Sequence, residues 1–253
     1  MNERKPVRGL TALRLKTIGA VLMALSVAST TLLPALLGAP TADNMGALTA
    51  MVLCEVASWV AIPIYAWLLA EGHRRTRRPA AYLGRLAALA VVCEVPYDLA
   101  TSGMAFDMRS QNPVWGLVVA LIVLMLLDWA DRRYGGETGS GAVRWAMSAL
   151  FVVAGLLWDL LLGVGVRQRV MFAGAAILLF ALIFRWLRAR ENTMMFAAGL
   201  LGAVLGIAPA IGVMLLHYRN DELGYEPDSR ARWALYAVYP VLLCLGAAAA
   251  MAA

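Results

Sequence analysis

Long apolar runs, repeated along the whole chain, are the feature that most limits what this sequence can fold into. A helix that spans a bilayer needs about 20 mainly apolar residues, and runs near that length recur from one end of the sequence to the other. Of the 253 residues, 62% are hydrophobic and only 15% are charged, which excludes an ordinary soluble domain. The sequence therefore predicts an integral membrane protein surrounded by the lipid bilayer.

Eight such runs are separated by short polar or glycine-rich connections. The predicted spans are approximately 15–37, 47–70, 80–100, 113–129, 144–164, 170–187, 194–217 and 233–252. Helices are expected because backbone groups that face lipid must be satisfied within the same segment, and the runs are too long and too evenly apolar for barrel strands. We predict an all-α polytopic membrane helical bundle of about eight transmembrane helices, forming a single domain over residues 1–253.

Lysine and arginine predict how the bundle is oriented. Basic loops favour the cytoplasmic side, and a cytoplasmic N-terminus puts most of the 22 Lys and Arg residues there, including the cluster at residues 74–78. The C-terminus is then also cytoplasmic (N-in/C-in), and the charged loop 219–232 lies outside. Loop topology and lipid headgroups account for the net charge of +6. We therefore expect a multi-pass plasma-membrane protein with no nucleic-acid partner.

The three cysteines carry no signature of a metal site or a disulfide framework. Cys54, Cys93 and Cys244 all lie inside apolar runs, where a small buried side chain is the ordinary role. Their spacing matches neither a zinc motif nor the cysteine pattern of a small secreted domain. No metal is expected.

Carboxylates within the spans are the first functional candidates, because ionisable groups are expensive to place in a bilayer. Glu55 in the second span and Glu94 in the third are expected at similar depth in the outer half, since these spans are antiparallel neighbours. Asp98 follows Glu94 by four positions and shares its helical face, although Pro96 can kink the span. The pattern predicts a polar cavity open to the outside, with a carboxyl as general acid–base. The alternative is that Glu55 and Glu94 are hydrogen-bond partners that hold helices together.

A second polar group lies at the cytoplasmic ends of the spans. It consists of Lys16, Glu71, His73, Arg74, Arg75, Arg77, Arg78 and Arg85. Guanidinium groups bind phosphate through paired hydrogen bonds, so a coenzyme A or nucleotide moiety from the cytoplasm would find a site here. The alternative is contact between the loop arginines and lipid headgroups, with Lys16 and Arg85 snorkelling from their spans.

The central stretch contains the motifs Pro63-Ile64-Tyr65-Ala66-Trp67-Leu68-Leu69-Ala70-Glu71-Gly72, Thr76-Arg77, Tyr82-Leu83-x-Arg85-Leu86 and Glu94-Val95-Pro96-Tyr97-Asp98-Leu99, with Leu15-Lys16, Leu22-Met23, Gln111-Asn112 and Tyr236-x-x-Tyr239-Pro240 elsewhere. Together these motifs resemble those of the TraX family of membrane proteins. The resemblance covers most of the chain and is most specific in the central stretch.

The resemblance implies a function and a set of site residues. TraX-like proteins are associated with N-terminal acetylation of conjugative pilin, and they look like multi-span acyltransferases that use cytoplasmic acetyl-CoA. Acetyl-CoA is the implied co-substrate, and the implied acceptor is a protein N-terminus, a glycan or a lipid at or beyond the membrane. The matching family positions are Lys16, Glu71, Arg77, Arg85, Glu94 and Asp98. With the candidates from the residues alone, the predicted catalytic residues are Glu55, Glu94 and Asp98, and the predicted coenzyme-binding residues are Lys16, Glu71, Arg74, Arg77 and Arg85.

Three histidines of the family pattern are replaced in this sequence. Val27, Arg75 and Leu242 stand at those positions, and Ser26 stands where the family has aspartate. Valine and leucine cannot take up a proton and arginine stays protonated, whereas acyl transfer normally needs a base for the acceptor's proton.

Two hypotheses therefore remain for the function. In the first, the protein is an acyltransferase in which Glu55 or Glu94 replaces histidine as the base. In the second, it is a catalytically inactive relative that serves as a membrane scaffold, an assembly factor or a passage for small molecules.

Overall fold

Helices make up nearly all of the regular structure in this chain. The computed structural model describes residues 9–136, 140–167, 171–220, 222–226 and 230–252. Within these ranges the helices are α1 (Ala12–Thr30), α2 (Leu32–Leu37), α3 (Met45–Ser58), α4 (Ala61–Arg75), α5 (Pro79–Ser102), α6 (Val114–Tyr134), α7 (Gly141–Leu161), α8 (Ala173–Trp186), α9 (Glu191–Val204), α10 (Ala208–His217) and α11 (Arg230–Ala252). Two short strands, β1 (Val166–Arg167) and β2 (Met171–Phe172), pair antiparallel before α8.

Six helical segments of the described chain are long and apolar enough to cross a membrane, by length and composition. They are α1, α3 together with α4, α5, α6, α7 and most of α11. Helix α8 is shorter, with 14 residues, and it packs on α4 and α6. Its start contacts the start of α6 at Gly174 and Gly116, and Arg185 near its end bonds Asp128 near the end of α6. The prediction of an all-α polytopic membrane bundle is confirmed.

Several helix ends coincide with residues that favour them. The Thr11 hydroxyl accepts the N–H of Arg14 at the start of α1, at 3.3 Å, which is ordinary N-capping. Helix α5 begins at Pro79, where the missing N–H is harmless, and it ends at Gly103 with a φ of 70°. These caps fix where the inner and outer loops begin.

Helices α4, α6 and α8 form the buried centre of the bundle, and α7 lies at its edge. The side chains of Phe180 and Phe184 on α8 are fully buried. Helix α7 packs on α6 and α8, while Leu150, Trp158 and Leu161 on its other side are exposed. An apolar face of this kind is suited to lipid contact.

The seventh predicted span, 194–217, is not one helix, and the prediction of a single transmembrane helix there is wrong. Helices α9 and α10 fold back on each other around residues 205–207, where Ile207 has a φ of 65°. The beginning of α9 and the end of α10 therefore meet, and Arg219 donates a hydrogen bond to Glu191 at 2.6 Å. A pair of short apolar helices that enters and leaves by one face has the same composition as one long span.

The second predicted span, 47–70, is also interrupted. Helix α3 ends at Ser58, and Trp59 and Val60 form a turn before α4 begins. Gly212 of α10 packs directly on this turn, because a Cβ added there would lie 2.2 Å from the Val60 carbonyl oxygen. The hairpin of α9 and α10 thus covers the break between α3 and α4.

The loop after α10 lies on the same face of the bundle as the start of α1. The backbone N–H of Leu10 donates to the carbonyl of Tyr218 at 2.7 Å, and the N–H of Ala12 donates to the carbonyl of Glu222 at 2.9 Å. The first turn of α1 is therefore joined to the loop by backbone hydrogen bonds.

Helix α11 consequently runs in the same direction as α1. Near its end, a Cβ added to Gly246 would lie 2.5 Å from Val27, which is close to the end of α1. The expected N-in/C-in arrangement is therefore corrected: the start of α1 and the end of α11 lie at opposite faces. With the N-terminus in the cytoplasm, Arg219 and the first turn of α11 also lie on the cytoplasmic side. This increases the excess of basic residues on that side, which orients membrane proteins.

Reporter fusions distinguish the two arrangements. An enzyme that is active only outside the cytoplasm should be silent when fused after Glu226, because this loop shares a face with the start of α1. The same reporter should be active after Pro40 and after Ala252, at the other face. Activity after Glu226 together with silence after Ala252 would contradict the hairpin and restore eight crossings.

Candidate functional site

A cavity of about 490 Å³ extends through the bundle between α1, α4, α5, α6, α8 and α11. At the face that holds the start of α1, its wall includes Lys16, Glu71, Arg75, Arg85 and Tyr225. Toward the opposite face, its wall includes Pro113, Leu117, Gly165, Met171 and Ala173. Polar groups lie mainly at the first end, so we call it the basic end. The expected polar cavity open to the outside is replaced by a largely apolar cavity with a basic end.

Glu55 is a buried carboxylate in the wall of this cavity. It accepts hydrogen bonds from the hydroxyl of Ser29 at 3.0 Å and the hydroxyl of Ser26 at 3.2 Å. The indole N–H of Trp59 donates to its other oxygen at 3.4 Å. Neutral donors from α1 and from the turn after α3 therefore fix the orientation of Glu55.

Glu94 and Asp98 have other partners and are not among the described residues that line the cavity. The carboxylate of Glu94 accepts the indole N–H of Trp115 at 2.9 Å and an amide N–H of Asn112, which ties α5 to the start of α6. The structure thus gives Glu55 and Glu94 different partners instead of joining them as an acid–base pair.

Asp98 holds the loop that follows α5. Its side chain is 1% exposed and accepts the backbone N–H of Asp107 at 2.9 Å. The carboxylate of Asp107 in turn forms an ion pair with Arg109 at 2.8 Å, and the hydrogen bonds from Arg109 lower the pKa of Asp107 to about 2. The described contacts therefore give Asp98 a role in anchoring this loop.

Glu71 neutralises part of the predicted coenzyme site. Its carboxylate forms ion pairs with Arg74 and Arg188, each at 2.6 Å, and with Arg75. The Glu71 side chain is only 12% exposed, whereas the side chains of its arginine partners are 36–51% exposed. Arg74 is thus already paired, and it does not line the described part of the cavity.

Lys16 and Arg85 are the cations at the basic end that form no ion pair with a carboxylate of the described residues. The ammonium of Lys16 donates to the hydroxyl of Tyr225 at 2.6 Å, and the guanidinium of Arg85 lies 6.0 Å from the ring centre of Tyr82. Arg77 is exposed and lies outside the described cavity wall. Of the five residues predicted to bind a coenzyme, Lys16, Glu71 and Arg85 line the cavity.

Several tyrosines line the described cavity wall, and none of them was among the predicted site residues. They are Tyr65, Tyr82, Tyr97, Tyr225, Tyr236 and Tyr239. Most of these tyrosines lie within the motifs that resemble TraX, and this position in the motifs could have identified them as site residues. Tyr225 had no such signal, because the loop that carries it was expected at the opposite face.

Arginines that are distant in sequence also meet at the basic end. The guanidinium groups of Arg188 and Arg219 lie 5.6 Å and 4.0 Å from the ring centre of Trp67. Cations at these distances from an indole ring are attracted to it. Trp67 thereby joins α4 to the loops that precede α9 and follow α10.

These features define a polytopic membrane protein with an internal cavity that is basic at one end and contains a buried carboxylate. The profile of the TraX protein family matches residues 15–251, nearly the whole chain. The chain therefore belongs to the TraX family, and the resemblance inferred from the motifs is confirmed. No curated protein and no solved structure is significantly similar to it.

Two of the three positions where the resemblance implies a histidine face the same cavity. Val27 and Arg75 both line it, whereas Leu242 is not part of its described wall. Ser26, where the resemblance implies aspartate, lines it too and bonds Glu55. The cavity is therefore the region in which this chain departs from the implied pattern.

The Glu71 network makes a prediction about stability. Replacing Arg188→Gln removes a charge-assisted hydrogen bond to a shielded carboxylate, so the free energy of unfolding should fall by about 1–2 kcal/mol. The matched control is Arg77→Gln, an exposed arginine, which should change it by less than about 0.5 kcal/mol. Thermal unfolding of the purified proteins measures both, and equal losses would contradict a structural role for the network.

Proposed function

We propose that the protein is an acyltransferase of the plasma membrane that transfers an acyl group from cytoplasmic acyl-CoA to an amine or hydroxyl acceptor at the membrane. The acceptor classes are a protein N-terminus, a glycan or a lipid. One observation carries the proposal: a single cavity connects the cations Lys16 and Arg85 with the buried carboxylate Glu55. Membership of the TraX family supports it.

The basic end fits the polar part of the donor. Lys16 and Arg85 offer charged donors to phosphates, and Tyr82 and Tyr225 beside them offer hydroxyls and ring faces. Along α1, Ser26 lies ten residues beyond Lys16, a rise of about 15 Å. The long pantetheine arm of coenzyme A suits this separation, because it can carry the thioester from the phosphates to the level of Glu55.

Glu55 supplies the base that the replaced histidines do not. The acceptor nitrogen or oxygen attacks the thioester carbonyl carbon while Glu55 takes its proton. The new C–N or C–O bond forms, the C–S bond breaks, and the departing thiolate receives the proton from Glu55. Ser26, Ser29 and Trp59 orient the carboxylate for both steps. In this proposal Glu94 and Asp98, first predicted as catalytic, support the start of α6 and the loop after α5.

The second candidate function is a non-catalytic passage for a small molecule. The observation in its favour is that the cavity wall includes residues from both faces of the bundle. A scaffold or assembly factor has no need of such a cavity, whereas a carrier or sensor does. Binding of acyl-CoA without transfer would support this second function.

Donor binding is the first test. Acetyl-CoA at about 100 times its Kd should stabilise the purified protein by about 2.7 kcal/mol, seen as a rise in melting temperature. Arg85→Gln should weaken binding roughly tenfold, because a hydrogen bond to a charged phosphate is lost. The control Arg78→Gln should have little effect, since Arg78 lies outside the described cavity wall. No stabilisation by acetyl-CoA would contradict the proposed donor site.

The identity of the base is the second test. Glu55→Gln should lower transfer to a supplied peptide amine about 100-fold or more while acetyl-CoA binding is retained. Glu94→Gln makes the same chemical change outside the described cavity wall and should leave the rate per folded molecule nearly unchanged. The opposite outcome, with both variants folded, would assign the base to Glu94 and overturn the role given to Glu55.

A further inference from the structure

The cavity continues on the side away from its basic end as a branch between α5, α6 and α8. Its wall there includes Leu89, Pro113, Leu117, Met171, Ala173 and Ile177, which we call the apolar branch. The hydroxyl of Tyr97, which also lines the cavity, is hydrogen-bonded to Ser110 at 3.0 Å. Pro113 immediately precedes α6 and Ala173 begins α8, so the branch reaches the ends of these helices that lie farthest from Lys16. None of these six side chains can ionise or form a strong hydrogen bond.

The described residues of β1 and β2 lie at the far end of the branch. Val164, two residues before β1, and Met171, the first residue of β2, are 1% and 3% exposed. The backbone N–H of Gly165 donates to the carbonyl of Gln111 at 2.8 Å, and the Ser110 hydroxyl donates to the carbonyl of Val166 at 2.8 Å. These bonds hold β1 and the residues before it against the loop before α6.

An acetyl group would occupy little of this space. Apolar walls without a facing partner forfeit dispersion contacts, and an apolar void of this kind does not hold water well. A chain of methylenes makes dispersion contacts with such walls, and each methylene removed from water contributes favourably to binding. We assign the methylene chain to the donor, because an acceptor that entered from the opposite face would have to displace β1 and β2.

We propose that the acyl group carried by this protein is a fatty acyl chain longer than acetyl, with its methylenes in the apolar branch and its thioester beside Glu55. The inference rests on the proposed acyl transfer and names the donor class for the same site. The bond changes are those of any thioester acyl transfer: one C–S bond is exchanged for one C–N or C–O bond, the thiol receives the acceptor's proton, and nothing is oxidised or reduced.

Photolabelling tests where the chain lies. A fatty acyl-CoA with a diazirine at the end of its chain is bound to the full-length protein in nanodiscs, irradiated and mapped by mass spectrometry. Labels are expected in residues 113–117 and 171–177, and an excess of unlabelled palmitoyl-CoA should remove them. Labels confined to the lipid-facing side of α7 would overturn the placement, because they indicate only partition into the bilayer.

A series of acyl-CoA thioesters tests the length. The affinity from acetyl- through butyryl-, octanoyl- and dodecanoyl-CoA should rise by roughly fourfold per added methylene until the branch is filled. Leu117→Trp fills the branch and should shift the preference to shorter chains, whereas Leu117→Ala should shift it to longer ones. The control Leu150→Trp makes the same change at an exposed position of α7 and should keep the native profile.

The outcomes distinguish failure of the fatty acyl donor from failure of the proposed acyl transfer. Binding of acetyl-CoA with no gain from longer chains would overturn the fatty acyl donor and leave the proposed acetyl transfer standing. Absence of binding for every thioester would overturn both. A native length profile in both folded Leu117 variants would show that the chain does not enter the branch. If Leu117→Trp does not fold, Leu117→Ala and the photolabel still decide the question.

Discussion

The constraint on which this structure depends is that non-helical backbone at membrane depth must be covered by protein or line a cavity. In the described part of the chain, the turn at Trp59–Val60 and the turn around residue 206 are such places, and they cover each other. A Cβ added to Gly206 would lie 3.4 Å from the Trp59 ring, and Gly212 is pressed on the Val60 carbonyl. Because α9 and α10 enter the bundle to make this contact, they return the chain to its starting face and set the direction of α11.

Periodicity and composition predicted the class of fold but could not distinguish a hairpin from a span. Residues 194–217 are apolar enough and long enough for a single helix, and only local signals contradict that reading. Gly206 and Pro209 are helix-breaking residues near the turn, and their effect was outweighed by apolar length. The positive φ of Ile207 has no sequence signature, because a β-branched residue seldom adopts it. The error in one span then reversed the expected position of the C-terminal end.

The residues of the candidate site could be predicted from the sequence better than the contacts between them. Glu55, Lys16 and Arg85 were identified because ionisable groups in apolar spans are rare, and all three line the cavity. The ion pair between Glu71 and Arg188 could not be read from the sequence, since the two residues are 117 positions apart. Hydroxyl groups were missed because serine and tyrosine are ordinary residues in membrane helices. Their importance comes only from the carboxylate or ammonium that they face.

The backbone hydrogen bonds between the first turn of α1 and the loop after α10 also impose an order of assembly. Residues 220 and 222–225 and helix α11 supply part of the cavity wall, and they follow α1 to α10 in the chain. A nascent chain that has inserted α1 to α8 therefore possesses the catalytic carboxylate proposed here but not yet the enclosure around it. The wall of the cavity is therefore complete only when the loop after α10 and helix α11 have packed against α1.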